Sequence, residues 1–235
     1  MRLLKVLTVS GNQSPLVKED VRLELSAPGR ANFTVIADES LSGIVTLDIG
    51  FSSDKSLKRW FTGYIEKSIK VSKTEQLLFC RELSASINRT LPLNLRHLSL
   101  KDLALNMSEK TGLSFNLPDR PYTTKPVPYF YNVGGGYHAL DSIGLVFQIP
   151  NYIWQQQGNG EIYLGDWHDS FWASRPIVLP ENLLTGHSSN EAADIPAMPP
   201  LRPGIRFNDQ FYIQSVSLSD STMRLTWSKQ LKKLS

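Results

Sequence analysis

Cysteine is almost absent: Cys80 is the only one in 235 residues. A single thiol excludes an intrachain disulfide framework, a cysteine zinc ribbon and a Cys-ligated iron–sulfur cluster. Histidine is scarce too, four residues scattered at His97, His138, His168 and His187. No apolar run approaches the ~18 residues that a membrane-spanning helix needs, so no membrane segment is expected. Lys5 breaks the apolar stretch at the start and no small-residue cleavage pattern follows. Met1 to Ser10 therefore reads as a first β-strand and not as a signal peptide. Charge bias is weak, with 25 Lys and Arg against 22 Asp and Glu, net +3. That supports solubility more than sequence-specific nucleic-acid recognition. Glycine (15) and proline (14) stand at background levels, which excludes collagen-like and low-complexity chains. With 41% hydrophobic and 20% charged residues, the chain can bury a core.

What is present begins with two-residue periodicity. Val21–Leu25, Ala31–Val35 and Ile44–Ile49 alternate apolar and polar positions, which sends one row of side chains inward and the other to solvent. Ser26–Gly29 and Ala37–Ser40 are turn material between them. From Lys58 to Val71 the odd positions Phe61, Ile65, Ile69 and Val71 form the expected core face. The even positions, with Trp60, Thr62 and Tyr64, form the expected solvent or partner face. Gln76–Cys80 closes the set, and the spacing predicts a small barrel or sandwich.

The middle third changes period. Ser99 precedes Leu100, Leu103, Ala104 and Met107, which share one helical face, and Asp102, Lys110 and Gly112 supply start and stop chemistry. Leu113–Phe115 reads as a strand and Tyr137–Phe147 as a second helix. Tyr152–Gln156 and Glu161–Leu164 flank Gly158-Asn159-Gly160, a β-hairpin pattern. This is an α+β unit. Beyond residue 115 lie 11 of the 14 prolines. Glu181–Pro200 has few apolar anchors and is expected to be a long mobile or partner-wrapped loop. Arg206–Phe207, Gln210–Leu218 and Met223–Trp227 read as strands, and the tail from Lys229 to Ser235 is expected to fray.

Candidate chemistry is thin. Gly134-Gly135-Gly136 opens a helix, but the lysine and hydroxyl of a P-loop are missing, so a left-handed turn feeding a helix is the better reading. Asp166, His168 and Asp169 crowd one loop without matching a metal motif. Cys80 reads as a small core residue. No Gly-x-Ser-x-Gly elbow is present. Asp141, Glu161, Asp166 and Asp169 enter as glycosidase carboxylates only because Trp154, Trp167 and Trp172 could stack on a sugar. Lys55, Lys58, Arg59, Lys67, Lys70 and Lys73 surround Trp60, Phe61 and Tyr64. A solvated strand face explains them better than single-stranded nucleic acid does. No catalytic residue, metal or cofactor is expected.

Four colinear stretches resemble baseplate hub, or late-control-D-like, proteins of tailed phages and related contractile injection systems. They are Arg59–Glu66, Asn94–Leu103 leading to Glu109–Leu113, Leu140–Phe147 followed by Tyr152–Trp154 and Gly160–Gly165, and Leu201–Gly204 with Tyr212–Leu218 and Met223–Trp227. The resemblance implies a mostly β, α+β chain: two small tudor-like β-barrels, 1–90 and 176–235, around an α+β domain, 91–175. It implies a structural virion protein of the tail tip or baseplate, made in the host cytoplasm and not an enzyme. The protein would form a homotrimeric ring that joins the hexameric tail tube, or a distal tail protein, to the trimeric spike or central fibre. The tape measure protein is a further possible neighbour. Expected partner contacts are Trp60, Tyr64, Trp167, Trp172, Leu183 and Leu184. The alternative is a β-rich carbohydrate- or cell-surface-binding tail module without catalysis.

Overall fold

The structure, a computed structural model, describes residues 2–180, 183–189 and 191–231. The first third is all β: β1 (Leu3–Val9), β2 (Asn12–Ser14), β3 (Leu16–Glu24), β4 (Ala27–Ile36), β5 (Ile44–Phe51), β6 (Lys58–Lys70) and β7 (Glu75–Glu82). The middle holds β8 (Leu93–Leu98), α1 (Leu100–Thr111), β9 (Phe115–Asn116), α2 (Pro121–Thr124), β10 (Val127–Asn132), α3 (Gly136–Val146), β11 (Tyr152–Gln156) and β12 (Ile162–Asp166). The last third holds β13 (Thr185–Ser189), β14 (Ala192–Pro196), β15 (Arg206–Phe207), β16 (Phe211–Ser219) and β17 (Thr222–Ser228).

First and last thirds share one sheet. Its antiparallel order is β13-β14-β17-β16-β3-β4-β7-β6-β5-β1-β2, with β15 on β16. The seam between them is β3 against β16, in register Leu23 to Val216 and Val21 to Leu218. All four of these side chains are buried, so the seam is fixed by burial as well as by backbone pairing. β4 shows the cause of the strand pattern: Gly29, Ala31, Phe33 and Val35 face in, while Arg30 and Asn32 face out.

The middle unit has its own core, built from Leu100, Leu103 and Met107 of α1, Leu140 and Ile143 of α3, and Phe130 of β10. Ser99 caps α1 with a reciprocal Asp102 bond, and Gly112 ends the helix in the left-handed conformation at φ 75°. The β11–β12 hairpin is a wall between the two cores. Ile153 and Tyr163 face the large sheet core, and Trp154, Ile162 and Leu164 face the helical one. Period-two alternation lets one hairpin serve both.

Several expectations are corrected. Trp60 is 2% exposed, so it lies on no solvent face. The Glu181–Pro200 segment is not a bare loop: it carries β13 and β14, and β14 pairs with β17 with Ala193 and Ile195 buried. Glu181, Asn182 and Asn190, and the tail residues Lys232 to Ser235, lie outside the described residues. The turn expected over Ser26–Gly29 narrows to Leu25 and Ser26, because β4 starts at Ala27. The strand expected at Leu113–Phe115 shifts to β9, which runs parallel to β12. None of Gly134, Gly135 and Gly136 has a positive φ. Gly136 is there for close approach instead, since a Cβ would sit 2.4 Å from the Ile87 carbonyl oxygen.

Candidate functional site

Three regions meet at one buried polar junction. It begins with Glu82, the last residue of β7. Gln76, Leu78, Cys80 and Glu82 occupy the inward row of that strand, so the alternation carries a carboxylate into the core. One of its oxygens accepts the Gly29 N–H at 2.7 Å, and the other faces Arg202 Nη2 at 3.7 Å. Burial pushes the Glu82 carboxyl up to about 7, with Arg202 and the Gly29 N–H pulling the other way. Arg202 is half-buried, with 12% of its side chain exposed. Its Nη1 donates to the Trp60 carbonyl, and its Nη2 donates to the Gln156 carbonyl at 3.2 Å.

The hairpin is tied in by its own polar side chains. Gln156 is fully buried, accepts the Ser84 N–H at 2.8 Å and donates to the Thr62 carbonyl at 2.7 Å. Thr62 Oγ1 donates to the Gly158 carbonyl at 2.6 Å. Gly158 packs so close that a Cβ would lie 2.1 Å from the Arg59 carbonyl oxygen. Two indoles anchor the segment after Met198: Trp60 Nε1 donates to the Leu201 carbonyl at 3.0 Å and Trp167 Nε1 to the Gly204 carbonyl at 2.8 Å. Most of the junction's polar groups are hydrogen-bonded, which favours one arrangement, while Glu82 Oε1 and Arg202 Nε are buried without a hydrogen-bond partner among the described residues. The junction ties the first third, the hairpin and the last third together.

The sequence-predicted residues are dispersed. Trp60, Trp167 and Trp172 are buried at 2–3% exposure within the chain, while Tyr64, Leu183 and Leu184 are half-buried. Burial of Trp154, Trp167 and Trp172 removes the ring faces that a stacked sugar needs. The glycosidase carboxylates are engaged elsewhere. Asp169 accepts from Arg120 at 2.8 Å and Tyr122 at 3.0 Å, Asp166 caps the His168 N–H at 2.8 Å, Glu161 accepts from Asn159 at 2.9 Å, and Asp141 accepts from Trp154 at 2.9 Å. Cys80 is buried and its thiol is pushed up to about 12 by desolvation. Of the aromatics in the basic cluster Trp60 and Phe61 face inward and Tyr64 alone keeps surface, and Arg59 pairs with Asp48 at 2.5 Å. Among the described residues no group of His, Cys, Asp and Glu is arranged to hold a metal ion, and no helix is long and apolar enough to cross a membrane. Sequence reasoning missed Glu82, Gln156 and Arg202. The signal for Glu82 was available, as an acid that continues the inward row of Leu78 and Cys80.

No protein-family model matches the chain. It is 31% identical over 219 residues to an uncharacterized 58.7 kDa protein in the lys 3′ region of Haemophilus phage HP1, covering 93% of this chain. The chain spans 40% of that relative's length. Among solved structures it is similar to the 43 kDa tail protein of Shewanella oneidensis prophage MuSo2, with TM-score 0.68, 8% identity, and 97% of this chain and 98% of that one covered. It is also similar to a tail protein of Neisseria meningitidis MC58, with TM-score 0.67, 12% identity, and 97% and 96% covered. A third neighbour is the E. coli c3393 protein, a type VI secretion component described as similar to the T4 tail proteins gp27 and gp5. There the TM-score is 0.57 at 12% identity, with 94% and 76% covered. The resemblance read from the sequence holds at the level of fold: this is the fold of phage tail proteins.

Proposed function

We propose that the chain is a structural subunit of a phage tail tip or baseplate, a hub ring that joins the tail tube to the spike or central fibre. The observation that carries this reading is the fold, matched along 97% of the chain by two tail proteins. The role is docking and symmetry matching, without catalysis. Support for that comes from the junction, whose polar groups are spent on holding three regions rigid, and from carboxylates already bonded to neighbours. Stiff subunits transmit position through a ring, and closed cyclic assemblies repeat one interface.

In this reading the large sheet is two curled halves, each a tudor-like barrel, flanking the α+β unit. Within the first half, β1 and β3 lie at the two ends of the run β1-β5-β6-β7-β4-β3, yet Lys5 of β1 pairs with Glu19 of β3. That contact supports a curled first half. The chain is proposed to form a homotrimer, to reside in the virion after synthesis in the host cytoplasm, and to have the tape measure protein as a neighbour. Tyr64, Leu183 and Leu184 retain reachable surface and are the proposed partner contacts of the six expected ones. The test is electron microscopy of the chain mixed with its tail-tube protein. Three-subunit rings capping tube ends are expected. Tubes with bare ends beside unassociated chain would refute the reading.

A further inference from the structure

A groove of about 620 Å³ lies beside the junction, between the start of β6, the β11–β12 loop and the segments around Phe171 and Met198. Its floor is apolar, formed by Trp172, Ile177, Met198, Leu201 and Ile205. Its polar wall is one-sided. Lys58, Arg59, Arg175 and Arg202 line it, and no Asp or Glu does among the described residues. Two of the cations are partly neutralised from behind, Arg59 by Asp48 and Arg202 by Glu82. The other two, Lys58 and Arg175, are exposed and have no ion pair among the described residues. Phe171 is 57% exposed at the rim, with the Arg175 guanidinium 3.9 Å over its ring centroid.

We propose that this groove docks an extended acidic segment of a partner protein, with apolar side chains on the floor and carboxylates on Lys58 and Arg175. Charge complementarity argues for the acid, because a site lined by one sign of charge selects the opposite sign and rejects its own. The apolar floor, mostly aliphatic, argues for polypeptide. Nucleobases and sugars are held by free aromatic faces, and here Trp60 and Trp172 are buried and the Arg175 guanidinium occupies one face of Phe171. One side of the floor is held in place, since Trp60 is bonded to both Leu201 and Arg202, so little ordering of that side remains at binding. The inference stands on the groove alone and goes beyond the assembly reading.

The test uses the full chain and a short fluorescein-labelled peptide of alternating phenylalanine and glutamate. A counterpart with lysine in place of glutamate is the control. The acidic peptide should bind, more weakly as salt rises, and the basic one should not. The double variant Lys58→Glu/Arg175→Glu should keep its melting temperature, because both side chains are exposed, and should weaken acidic-peptide binding by at least about tenfold. Absence of acidic-peptide binding would overturn the proposal. So would equal binding of the two peptides, unchanged binding by the charge-reversed chain, or better competition by oligothymidylate or cellohexaose than by unlabelled peptide.

Discussion

Trp60 and Leu201 are 141 positions apart in sequence, yet the Trp60 indole N–H donates to the Leu201 carbonyl at 3.0 Å in a buried setting. The Trp60 carbonyl in turn accepts from Arg202, the next residue along. One residue of β6 thus holds the last third of the chain through both its side chain and its backbone. Trp60→Phe keeps most of the apolar volume but strands the Leu201 carbonyl. A stability loss of about 1–3 kcal/mol is expected. Urea denaturation should show a lower midpoint with an unchanged slope.

Arg202 should be the more costly residue to remove. Arg202→Met preserves a long apolar stem but leaves Glu82 buried without its cation and two carbonyls without their donor. Breaking a buried pair from one side costs roughly 3–5 kcal/mol. The loss should shrink toward acidic pH, where Glu82 takes up a proton and no longer needs a counter-charge. Urea midpoints of the variant and the parent, compared at acidic and alkaline pH, check this.

The raised Glu82 carboxyl also sets a pH dependence in the unaltered chain. Below about 4.5 it is protonated both folded and unfolded. Between about 4.5 and 7 only the unfolded chain releases the proton, so this group lowers folding stability progressively as pH rises. Above about 7 both states are ionised and the penalty is constant. Each pH step across that window is worth up to about 1.4 kcal/mol. The difference in unfolding free energy between the parent and Glu82→Gln isolates the group. The parent should gain relative to the variant on acidification through that window. A flat difference would mean that the carboxyl is ionised throughout.

The glycine run before α3 separates two roles. Gly136→Ala puts a methyl group 2.4 Å from the Ile87 carbonyl oxygen and 2.3 Å from its side chain, so α3 or the preceding segment must shift. Overpacking of this kind costs about 1–3 kcal/mol or more. At Gly135, the helix N-cap, a Cβ would meet nothing nearer than 3.7 Å. Serine is a favoured N-cap, so Gly135→Ser should be neutral or slightly stabilising. Thermal melts of the two variants distinguish close packing from a need for flexible backbone.

Local pattern made much of the fold legible. The alternation in β3, β4 and β5, the Ser99–Gly112 signals around α1, and the Gly158–Gly160 hairpin are each dictated within a few residues. Trp60 was not legible, because strand alternation fails in β6: four consecutive residues from Trp60 to Gly63 are buried. That occurs where a strand is covered on both faces, here by the sheet core and by the hairpin and last third. The pairing of β3 with β16 was equally hidden, since no local signal specifies a partner strand nearly 200 positions away. The β13–β14 hairpin was masked by its small residues. Ala192 and Ala193 are weak hydrophobic signals, but their size lets β14 lie against β17. The junction was only half legible: Glu82 follows from its strand row, whereas Arg202 acquires its meaning only from the carbonyls of Trp60 and Gln156.

The central claim, a self-associating structural subunit of a tail, is most directly tested by mass in solution. Light scattering after size exclusion, over a range of concentrations and with tube or spike protein added, should give a trimer, or a monomer that becomes a ring-sized complex with those partners. A monomer whose mass stays constant at every concentration and in every mixture would contradict the account.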